Sequence, residues 1–352
     1  MKHEKFRSYL NESILLINQA IEISLGEWVA TIKDTIPLFH PFAETFAKAC
    51  AGGKRIRGTL VRLGYDVAAR EKCANILNAA VACELFQTAI LTHDDVIDKS
   101  LTRRGRPTVY QALGGDHHAI SQAICLGDVG FYRAFQLVTE LDCSHATKAS
   151  ALRIVSTMML NTAIGESMDI ELSNSKDKTR EKEALMMFVL KTAWYTVIGP
   201  LQLGAVVGGA SQEALQVIAR FGTSLGIAFQ IQDDILGVFG DESVLGKPAT
   251  SDIAEGKTTL LISHALQHAS SEDQAYLQRE YGTGQLSDEV VAQIRSIFRK
   301  TGALDYARVQ AREYASEARG MIPLISSEGG NQAILDGVVN YLVDWTQAEG
   351  PQ

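Results

Sequence analysis

The chain has 352 residues, of which 46% are hydrophobic and 21% are charged, and these values are ordinary for a folded globular protein. Its 33 basic and 41 acidic residues give a formal net charge of −8, which disfavours nucleic acid as a partner. An anionic small molecule stays possible wherever a few basic residues converge. Since no linker-like segment divides the chain, we expect one domain over residues 1–352, with a motif-bearing core at about 40–265 and peripheral helices at about 266–352.

The N-terminal segment mixes charged residues with short apolar runs, which is typical of an amphipathic helix and not of a signal peptide. The longest apolar stretch, residues 196–210, contains Pro200 and is shorter than the ~20 residues of a membrane-spanning helix. The sequence therefore predicts a cytoplasmic protein without a transmembrane segment.

Apolar residues recur at spacings of three and four along most of the chain, and only seven prolines interrupt it. Strict alternation of apolar and polar residues, the mark of a half-buried strand, is hard to find. These patterns predict an all-α fold of about ten or more helices. Breaks are expected where turn-forming residues cluster, at 51–53, 105–107, 114–116, 174–177, 199–200 and 246–248.

Two basic segments stand out in this acidic chain. The first reads Gly-Gly-Lys-Arg-Ile-Arg-Gly over residues 52–58, and the second reads Thr-Arg-Arg-Gly-Arg-Pro-Thr over residues 102–108. Arginine binds phosphate oxygens in pairs, lysine adds a compact charge, and glycine permits close approach of the backbone. Either segment alone is compatible with a solvated surface. Together they bracket an acidic motif, which favours a phosphate site.

That acidic motif is Asp94-Asp95-Val96-Ile97-Asp98, at the end of an apolar helix that is expected to begin near Asn75. Asp94 and Asp98 are four residues apart, so on a helix their side chains project from one face. Two unpaired carboxylates in that arrangement repel each other, and a hard cation such as Mg²⁺ between them relieves the repulsion. A solvated acidic helix end is the alternative interpretation.

A second acidic pair, Asp233-Asp234, follows another long apolar helix in which Gly222 and Gly226 would let a neighbouring helix approach closely. Acidic residues are disfavoured at a helix C-terminus by the helix dipole, which makes a metal partner more credible. If the two acidic ends share one cavity, they would hold several Mg²⁺ ions and, through them, a diphosphate. Lys191, Lys247 and Lys257 are weaker basic signals.

In this order, the motifs Gly-Gly-Lys-Arg-x-Arg, Asp-Asp-x-x-Asp, Arg-Arg-Gly-x-Pro-Thr, Lys-Thr and Phe-Gln-x-x-Asp-Asp resemble those of the trans-isoprenyl diphosphate synthases, the polyprenyl synthetase family. The resemblance extends from about Gly52 to Thr259. It implies a single-domain, all-α helical bundle around a central apolar cavity, usually a homodimer, and an enzyme that joins isopentenyl diphosphate to an allylic diphosphate. The geranylgeranyl diphosphate synthases are the members that the chain resembles most.

The resemblance also implies a role for each matching residue. Asp94, Asp98 and Asp233 would ligate three Mg²⁺ ions that bridge the allylic diphosphate. The residues implied to contact that diphosphate are Arg103, Lys191, Lys247 and Lys257, those implied to hold isopentenyl diphosphate are Lys54, Arg57, Arg104 and Gln87, and those implied to line the reaction centre are Thr192 and Gln230. Asp169 matches an acidic position near the metals.

Two positions depart from the family pattern. Gly237 replaces a frequent third aspartate of the second motif, which leaves Asp233 as its main ligand, and Glu166 stands where the family often has glutamine. The chemistry expected is departure of the allylic diphosphate, attack by the isopentenyl double bond, and proton loss to the released diphosphate. His93, next to Asp94, is equally compatible with a hydrogen-bonding role and with a catalytic one.

Product length is expected to depend on the helix before Asp94. Ile90 and Ala89 are not aromatic, so Ala89 leaves room for more than fifteen carbons, while Phe86, one turn earlier and about 4.5 Å deeper, would form a floor. This predicts geranylgeranyl diphosphate, with a product of twenty-five carbons or more as the alternative. An ordinary core aromatic is the alternative interpretation of Phe86. A class I terpene cyclase and a non-catalytic partner subunit are the rival functions.

Overall fold

The computed structural model describes residues 2–68, 73–240, 251–284 and 286–343. Most of these residues are helical. In chain order the helices are α1 (Lys2–Thr35), α2 (His40–Ala49), α3 (Ile56–Ala68), α4 (Ile76–Ile97), α5 (Val109–Ala112), α6 (His117–Thr139), α7 (His145–Asn174), α8 (Glu181–Met187), α9 (Gly199–Val207), α10 (Gln212–Phe239), α11 (Ser251–Ala254), α12 (Leu260–His268), α13 (Ser271–Glu280), α14 (Asp288–Lys300), α15 (Ala303–Ile325) and α16 (Gly329–Val343). A 3₁₀ turn covers Pro37–Phe39, and a π-helical segment covers Phe188–Ile198.

The all-α prediction is confirmed. The only strands in the described ranges are β1 (Thr102–Arg103) and β2 (Arg106–Pro107), which pair in an antiparallel hairpin over the predicted break at 105–107. The predicted breaks at 51–53, 114–116 and 174–177 lie between helices or at a helix end, and the one at 246–248 lies outside the described residues. The break predicted at Gly199-Pro200 is wrong. Gly199 and Pro200 are the first two residues of α9, which follows the π-helical segment directly, so no turn separates the two.

The chain forms two compact units, residues 1–157 with 199–218 and residues 158–198 with 219–352. The boundaries between the units fall within α7, directly before α9 and within α10. Each unit is described separately below. The single domain over 1–352 stays a prediction.

In the first unit, α4 lies against α1, α3, α6 and α9. It begins at Ile76 and ends at Ile97, close to the bounds that the sequence predicted. Small and apolar residues cover most of its surface. Leu85 and Phe86 are fully buried there. Each such side chain contributes about 1.5–3 kcal/mol when it leaves water. This packing fixes the helix whose last turn carries the first acidic motif.

In the second unit, residues of α10 and of α12 to α15 share one apolar core that includes Ile231, Ile294 and Phe298. The predicted close approach to α10 is confirmed, because a Cβ atom on Gly222 would lie 2.6 Å from Ile198 Cγ1. The acidic pair does not end α10, which continues to Phe239.

Three helical stretches are long and apolar enough to cross a membrane by length and composition alone: Ile76–Ile97, Glu181–Val207 and Gln212–Phe239. The prediction from the stretch 196–210 missed them, since Pro200 does not interrupt the second. More than half of each apolar window is buried within the protein. Burial in the two cores therefore accounts for the hydropathy of these helices.

Candidate active site

The first acidic motif lies at the C-terminal end of α4, in the first unit. Asp94 is in the last turn of the helix, and Asp98 is the C-cap residue, still with helical backbone angles and with its N–H bonded to the Asp94 carbonyl at 2.8 Å. The two carboxylates therefore come from successive turns of one helix face, as predicted. Asp98 is exposed, whereas Asp95 is 3% exposed.

Arg103 of β1 joins both members of the aspartate pair. Its Nε donates to Asp95 Oδ1 at 2.7 Å, and its Nη2 donates to Asp94 Oδ2 at 3.1 Å. Burial raises the pKa of the Asp95 carboxyl to about 6, and the charge of Arg103 opposes that rise. Asp95 thus holds Arg103 beside Asp94.

The two basic segments, about fifty residues apart in sequence, meet in space. A Cβ atom on Gly53 would lie 2.6 Å from Arg104 Nη1, so the guanidinium rests against the glycine backbone. Partial desolvation by neighbouring groups, and then the charge of Arg104, lower the pKa of Lys54, although its side chain stays exposed. Burial also lowers the pKa of Arg104. The negative charge of Glu84 opposes this shift, whereas the positive charges of Arg57 and Arg103 add to it. We call Lys54, Arg55, Arg57, Arg103 and Arg104 the basic cluster.

A cavity of about 680 Å³ opens beside this cluster. Of the residues predicted to bind diphosphate, Gln87, Arg103 and Arg104 line it, together with the buried Asp95. Lys54 and Arg57 do not line it; Lys54 is exposed, and Arg57 is 8% exposed. The cavity therefore combines apolar walls with a concentration of positive charge, which suits a small apolar molecule carrying a diphosphate.

Three residues other than glycine have positive φ in the described ranges: Arg55 (50°), Lys99 (54°) and Arg104 (54°). All three are basic, and all lie in the segments that flank α4. The left-handed conformation costs a residue with a Cβ atom roughly 1 kcal/mol or more. The strained residues therefore lie in the same segments as the basic side chains, and such strain is typical of binding sites.

Arg55 was not among the residues predicted from the sequence. Its guanidinium is buried and donates to Asn18 Oδ1 at 2.8 Å, to Glu84 Oε2 at 3.3 Å and to the Cys50 carbonyl at 2.8 Å. Glu84 also accepts from the Gly58 N–H at 2.9 Å, in the first turn of α3. Arg55 and Glu84 thus fix the loop that carries Lys54. The signal that was missed is Glu84, a lone acid inside an apolar helix.

The second unit carries a separate group of carboxylates. Lys191 lies in the π-helical segment, and its Nζ contacts Asp169 Oδ2 at 2.6 Å and Glu166 Oε2 at 2.8 Å. π-Helical turns are frequent at functional sites because they change the register of the side chains. The structure therefore brings the predicted Lys191 and Asp169 together. Glu166, which departs from the family pattern, forms a second ion pair with the same lysine.

Thr192 and Gln230 are also adjacent, as expected for residues that line one centre. The Thr192 hydroxyl donates to Gln230 Oε1 at 2.6 Å, and Gln230 Nε2 donates to Asp234 Oδ1 at 2.8 Å. These bonds fix the orientation of the Gln230 amide. Asp234 is 4% exposed, whereas Asp233 is partly exposed and accessible to a ligand. Burial, and then the charge of Asp252, raise the pKa of Asp234.

Lys257 lies close to this group, held by ion pairs with Asp252 Oδ1 at 3.1 Å and Glu255 Oε2 at 3.2 Å. Its backbone carbonyl accepts from the Tyr281 hydroxyl at 2.7 Å. Tyr281 belongs to the region that the sequence suggested was peripheral, so that region supports the site. Lys247 lies outside the described residues. We call Glu166, Asp169, Asp233, Asp234 and Asp252 the carboxylate cluster.

The residues predicted to set product length lie on α4. Phe86 is 1% exposed and packs edge-on against Phe135 of α6, with ring centroids 5.2 Å apart. A Cβ atom on Gly130 of α6 would lie 3.0 Å from Ala89 Cβ and would overlap the Phe46 ring of α2. Ala89 therefore packs closely on Gly130, beside Phe46, and the sequence did not reveal this because Phe46 and Gly130 lie far from each other in the chain.

Ile90 and His93 lie on α4 close to Asp94. Ile90 is partly exposed. His93 bonds through Nε2 to the Ile124 carbonyl at 2.9 Å and packs edge-on against Phe131. His93 thus connects α4 to α6, which agrees with a structural and not a catalytic role.

The donor atoms at both acidic motifs fit Mg²⁺, which prefers carboxylate oxygens. Asp234 Oδ2 and Asp169 Oδ1 are buried and accept no hydrogen bond from the described residues, so both need a further partner. Within the described ranges, no three His, Cys, Asp or Glu side chains are gathered closely enough to hold a metal by themselves. That arrangement suits Mg²⁺, which keeps several waters and usually takes one or two carboxylates together with substrate phosphates.

Comparison with known proteins gives this arrangement a family. The polyprenyl synthetase family model matches residues 40–301, which include both acidic motifs and both basic segments. The chain belongs to the polyprenyl synthetase family. It is therefore a prenyltransferase of the trans-isoprenyl diphosphate synthase type, as the sequence motifs predicted.

Members of the family with different products are similarly related to this chain. A geranylgeranyl diphosphate synthase of Sulfolobus acidocaldarius is 31% identical over 343 residues, covering 97% of this chain and 98% of that protein. A geranylfarnesyl diphosphate synthase of Aeropyrum pernix is 32% identical over 301 residues, covering 84% and 91%. A crystal structure of a Corynebacterium glutamicum geranylgeranyl pyrophosphate synthase with isoprenyl diphosphate and magnesium superposes with a TM-score of 0.84, at 29% identity, covering 93% and 98%.

Proposed function

We propose that this polyprenyl synthetase condenses isopentenyl diphosphate with an allylic diphosphate in a Mg²⁺-dependent reaction, and that its main product is geranylgeranyl diphosphate. The observation that carries the proposal is the meeting of the two basic segments at Gly53 and Arg104, beside a cavity that also contains Asp95. A terpene cyclase, which acts on one diphosphate, has no use for this second anion site.

In this mechanism Lys54, Arg57 and Arg104 of the basic cluster hold isopentenyl diphosphate, together with Gln87. Gln87 and Arg104 line the cavity, and Lys54 and Arg57 add positive charge near Arg104. Arg57 and Arg103 repel the positive charge of Arg104. A bound diphosphate supplies the negative charge that relieves this repulsion. Holding the double bond in a fixed place converts a bimolecular encounter into a reaction between bound partners.

The allylic diphosphate would be bound through metal ions at Asp94, Asp98 and Asp233, with three ions in all. Bound Mg²⁺ stabilises the negative charge that develops on the departing diphosphate. Arg103, Lys191 and Lys257, with Lys247 as a further candidate, would bind the same leaving group and stabilise that charge directly. Thr192 and Gln230 would line the centre where the allylic cation forms, and the released diphosphate would take the proton.

The direct test is to incubate the purified protein with isopentenyl diphosphate and farnesyl diphosphate, with and without Mg²⁺, and to identify products by mass spectrometry. Consumption of both substrates only with Mg²⁺ supports the synthase. A cyclic hydrocarbon from one substrate would instead indicate a terpene cyclase. Absence of turnover until a second protein is added would indicate a non-catalytic partner subunit.

We propose that Phe86 of α4 is the floor that sets product length, with Phe46, next to Gly130 and Ala89, as a second bulky side chain. We expect Phe86→Ala to lengthen the main product by one isoprene unit, because Phe86 lies about 4.5 Å from Ala89 along the helix axis, close to the length of one unit. Phe46→Ala should act in the same direction. Product analysis by mass spectrometry decides this, and an unchanged distribution in both variants would rule out this floor and favour a longer-chain wild-type enzyme.

We also propose a homodimeric, cytoplasmic protein. Ile124 and Tyr132 of α6 are 44% and 69% exposed, and such apolar side chains are candidates for a contact between copies. Light scattering of the purified protein, compared with Tyr132→Glu, would show whether this face joins two subunits.

A further inference from the structure

The C-terminal end of α7 lies just beyond the carboxylates that pair with Lys191. Asp169 comes three residues before Leu172, so both belong to the last turns of this helix. The last carbonyl groups of a helix have no partner within it, and they carry the negative end of the helix dipole. The groups that satisfy these carbonyls therefore determine how firmly the turn with Asp169 is held.

Lys178, in the loop between α7 and α8, satisfies two of these carbonyls. Its Nζ donates to the Leu172 carbonyl at 2.8 Å and to the Ser173 carbonyl at 2.6 Å. The Leu172 carbonyl also accepts from the buried Thr258 hydroxyl at 2.9 Å. The end of α7 is thus held by two donors from separate segments, and one of them is a cation, which the dipole favours at this end of a helix.

The loop that carries Lys178 is itself held by hydrogen bonds. Asp177 Oδ1 accepts from the Thr179 N–H at 2.9 Å and from the Thr179 hydroxyl at 2.6 Å. The Lys178 carbonyl accepts from the Ser263 hydroxyl of α12 at 2.6 Å. Because the backbone around Lys178 is fixed in this way, its side chain is held against the end of α7 and is not a loose surface lysine.

The charge of Lys178 also reaches the carboxylate cluster. Burial lowers the pKa of Lys178 to about 8, and the negative charge of Asp169 opposes that shift. The two charges are therefore close enough to attract each other. Asp169 in turn pairs through Oδ2 with Lys191 Nζ at 2.6 Å. A chain of contacts thus leads from Lys178, through the last turns of α7, to Lys191.

From these contacts we infer that Lys178 is a positioning residue for the reaction: it caps α7, fixes the place of Asp169 and, through Asp169, fixes the place of Lys191. The inference rests on the proposed function, in which Lys191 binds the allylic diphosphate. Lys178 acts through Asp169 and does not itself bind substrate. Its loss should therefore affect the allylic diphosphate and spare isopentenyl diphosphate, which the basic cluster binds.

The test compares Lys178→Met with wild type in the full-length protein. Methionine keeps most of the apolar stem of lysine but cannot donate to the two carbonyls. We expect kcat to fall by about tenfold, and Mg²⁺-dependent binding of an unreactive thio analogue of farnesyl diphosphate to weaken by about fivefold, because Lys191 is misplaced. The KM for isopentenyl diphosphate should change by less than about twofold.

Two further variants separate positioning from a general loss of structure. Lys178→Arg keeps the charge and the donors, so it should recover most of the lost kcat and affinity. Lys176→Met is the matched control, because Lys176 is an exposed lysine of the same loop and should leave both values unchanged. Melting temperatures identify any variant that fails to fold, and Lys178→Gln replaces the methionine variant if that one does.

A double variant tests whether Lys178 acts through Asp169. In an Asp169→Asn background, Lys178→Met should lower kcat by less than about a further twofold, because residues of one network are not additive. A full additional loss of about tenfold would contradict the proposed connection and overturn the inference.

The inference is also overturned if Lys178→Met matches Lys176→Met in kcat and in affinity for the analogue, whatever its melting temperature. The same holds if binding of isopentenyl diphosphate weakens by the same factor as binding of the analogue, or if Lys178→Arg is as impaired as Lys178→Met. A wild-type protein that consumes neither substrate in the presence of Mg²⁺ would instead overturn the proposed function, before any variant is compared. The two failures are therefore distinguishable.

Discussion

Under the proposed function, the basic cluster and the carboxylate cluster each bind a diphosphate, but with opposite charges. The basic cluster gathers five cationic side chains, three of which line the cavity, and its backbone is left-handed at Arg55 and Arg104. The carboxylate cluster gathers five acids with Lys191 and Lys257. The first can bind an anion directly, whereas the second needs a cation as an intermediary. The difference assigns one substrate to each mode of binding.

The largest effect is expected from removing a metal ligand. Asp94→Asn and Asp233→Asn should each lower kcat/KM by about 10³-fold, because each removes a charge that holds the metal against the leaving group. Steady-state assays over a range of Mg²⁺ concentrations measure this, with Asp305→Asn, an exposed acid of α15, as the control. If Asp233→Asn were as active as wild type, the proposed role of the carboxylate cluster in the reaction would be wrong.

A smaller and more selective effect is expected at the basic cluster. Arg104→Ala should raise KM for isopentenyl diphosphate by about 10²-fold, the cost of a lost charge-assisted hydrogen bond to phosphate, and leave KM for the allylic substrate nearly unchanged. Arg308→Ala, on the exposed surface of α15, is the control. Equal increases in both KM values would show that the two clusters do not divide the substrates as proposed.

The pH dependence of stability tests the environment of Asp95. Because its pKa is about 6 against an ordinary 3.8, the folded protein binds more protons than the unfolded chain between those values. The contribution of Asp95 to the free energy of unfolding is thus full below about pH 4 and falls as the pH rises to about 6. Relative to Asp95→Asn, wild type should lose about 2 kcal/mol over this interval. Urea unfolding without Mg²⁺ measures it, and a flat difference would contradict the assignment.

Much of this site could be predicted from the sequence because its information is local. The apolar periodicity before Asp94 gave the bounds of α4 to within a residue, and the i, i+4 spacing placed Asp94 and Asp98 on one face. The order of motifs identified the family. The break predicted at Gly199-Pro200 was wrong because these residues begin α9 directly after the π-helical segment, which the local turn signal does not indicate.

The residues that the sequence did not reveal depend on contacts between distant segments. Lys54 and Arg55 are adjacent and carry the same charge. Arg55 is buried because it bonds to Glu84, whereas Lys54 is exposed. Phe46 reaches Gly130 from α2, some eighty residues away in the chain. Gly237 was recognised as a departure, but a Cβ atom there would overlap Asp252 Oδ2, a contact that no local pattern encodes.

The most direct test of the division between clusters is the Mg²⁺ dependence of binding for each substrate, measured by calorimetry on the wild-type protein. Isopentenyl diphosphate alone should bind with nearly the same Kd in Mg²⁺ and in chelator, and Arg104→Ala should abolish that binding. The unreactive farnesyl thio analogue should lose at least about 100-fold in affinity when Mg²⁺ is removed. An equal dependence of both ligands on Mg²⁺ would contradict the account.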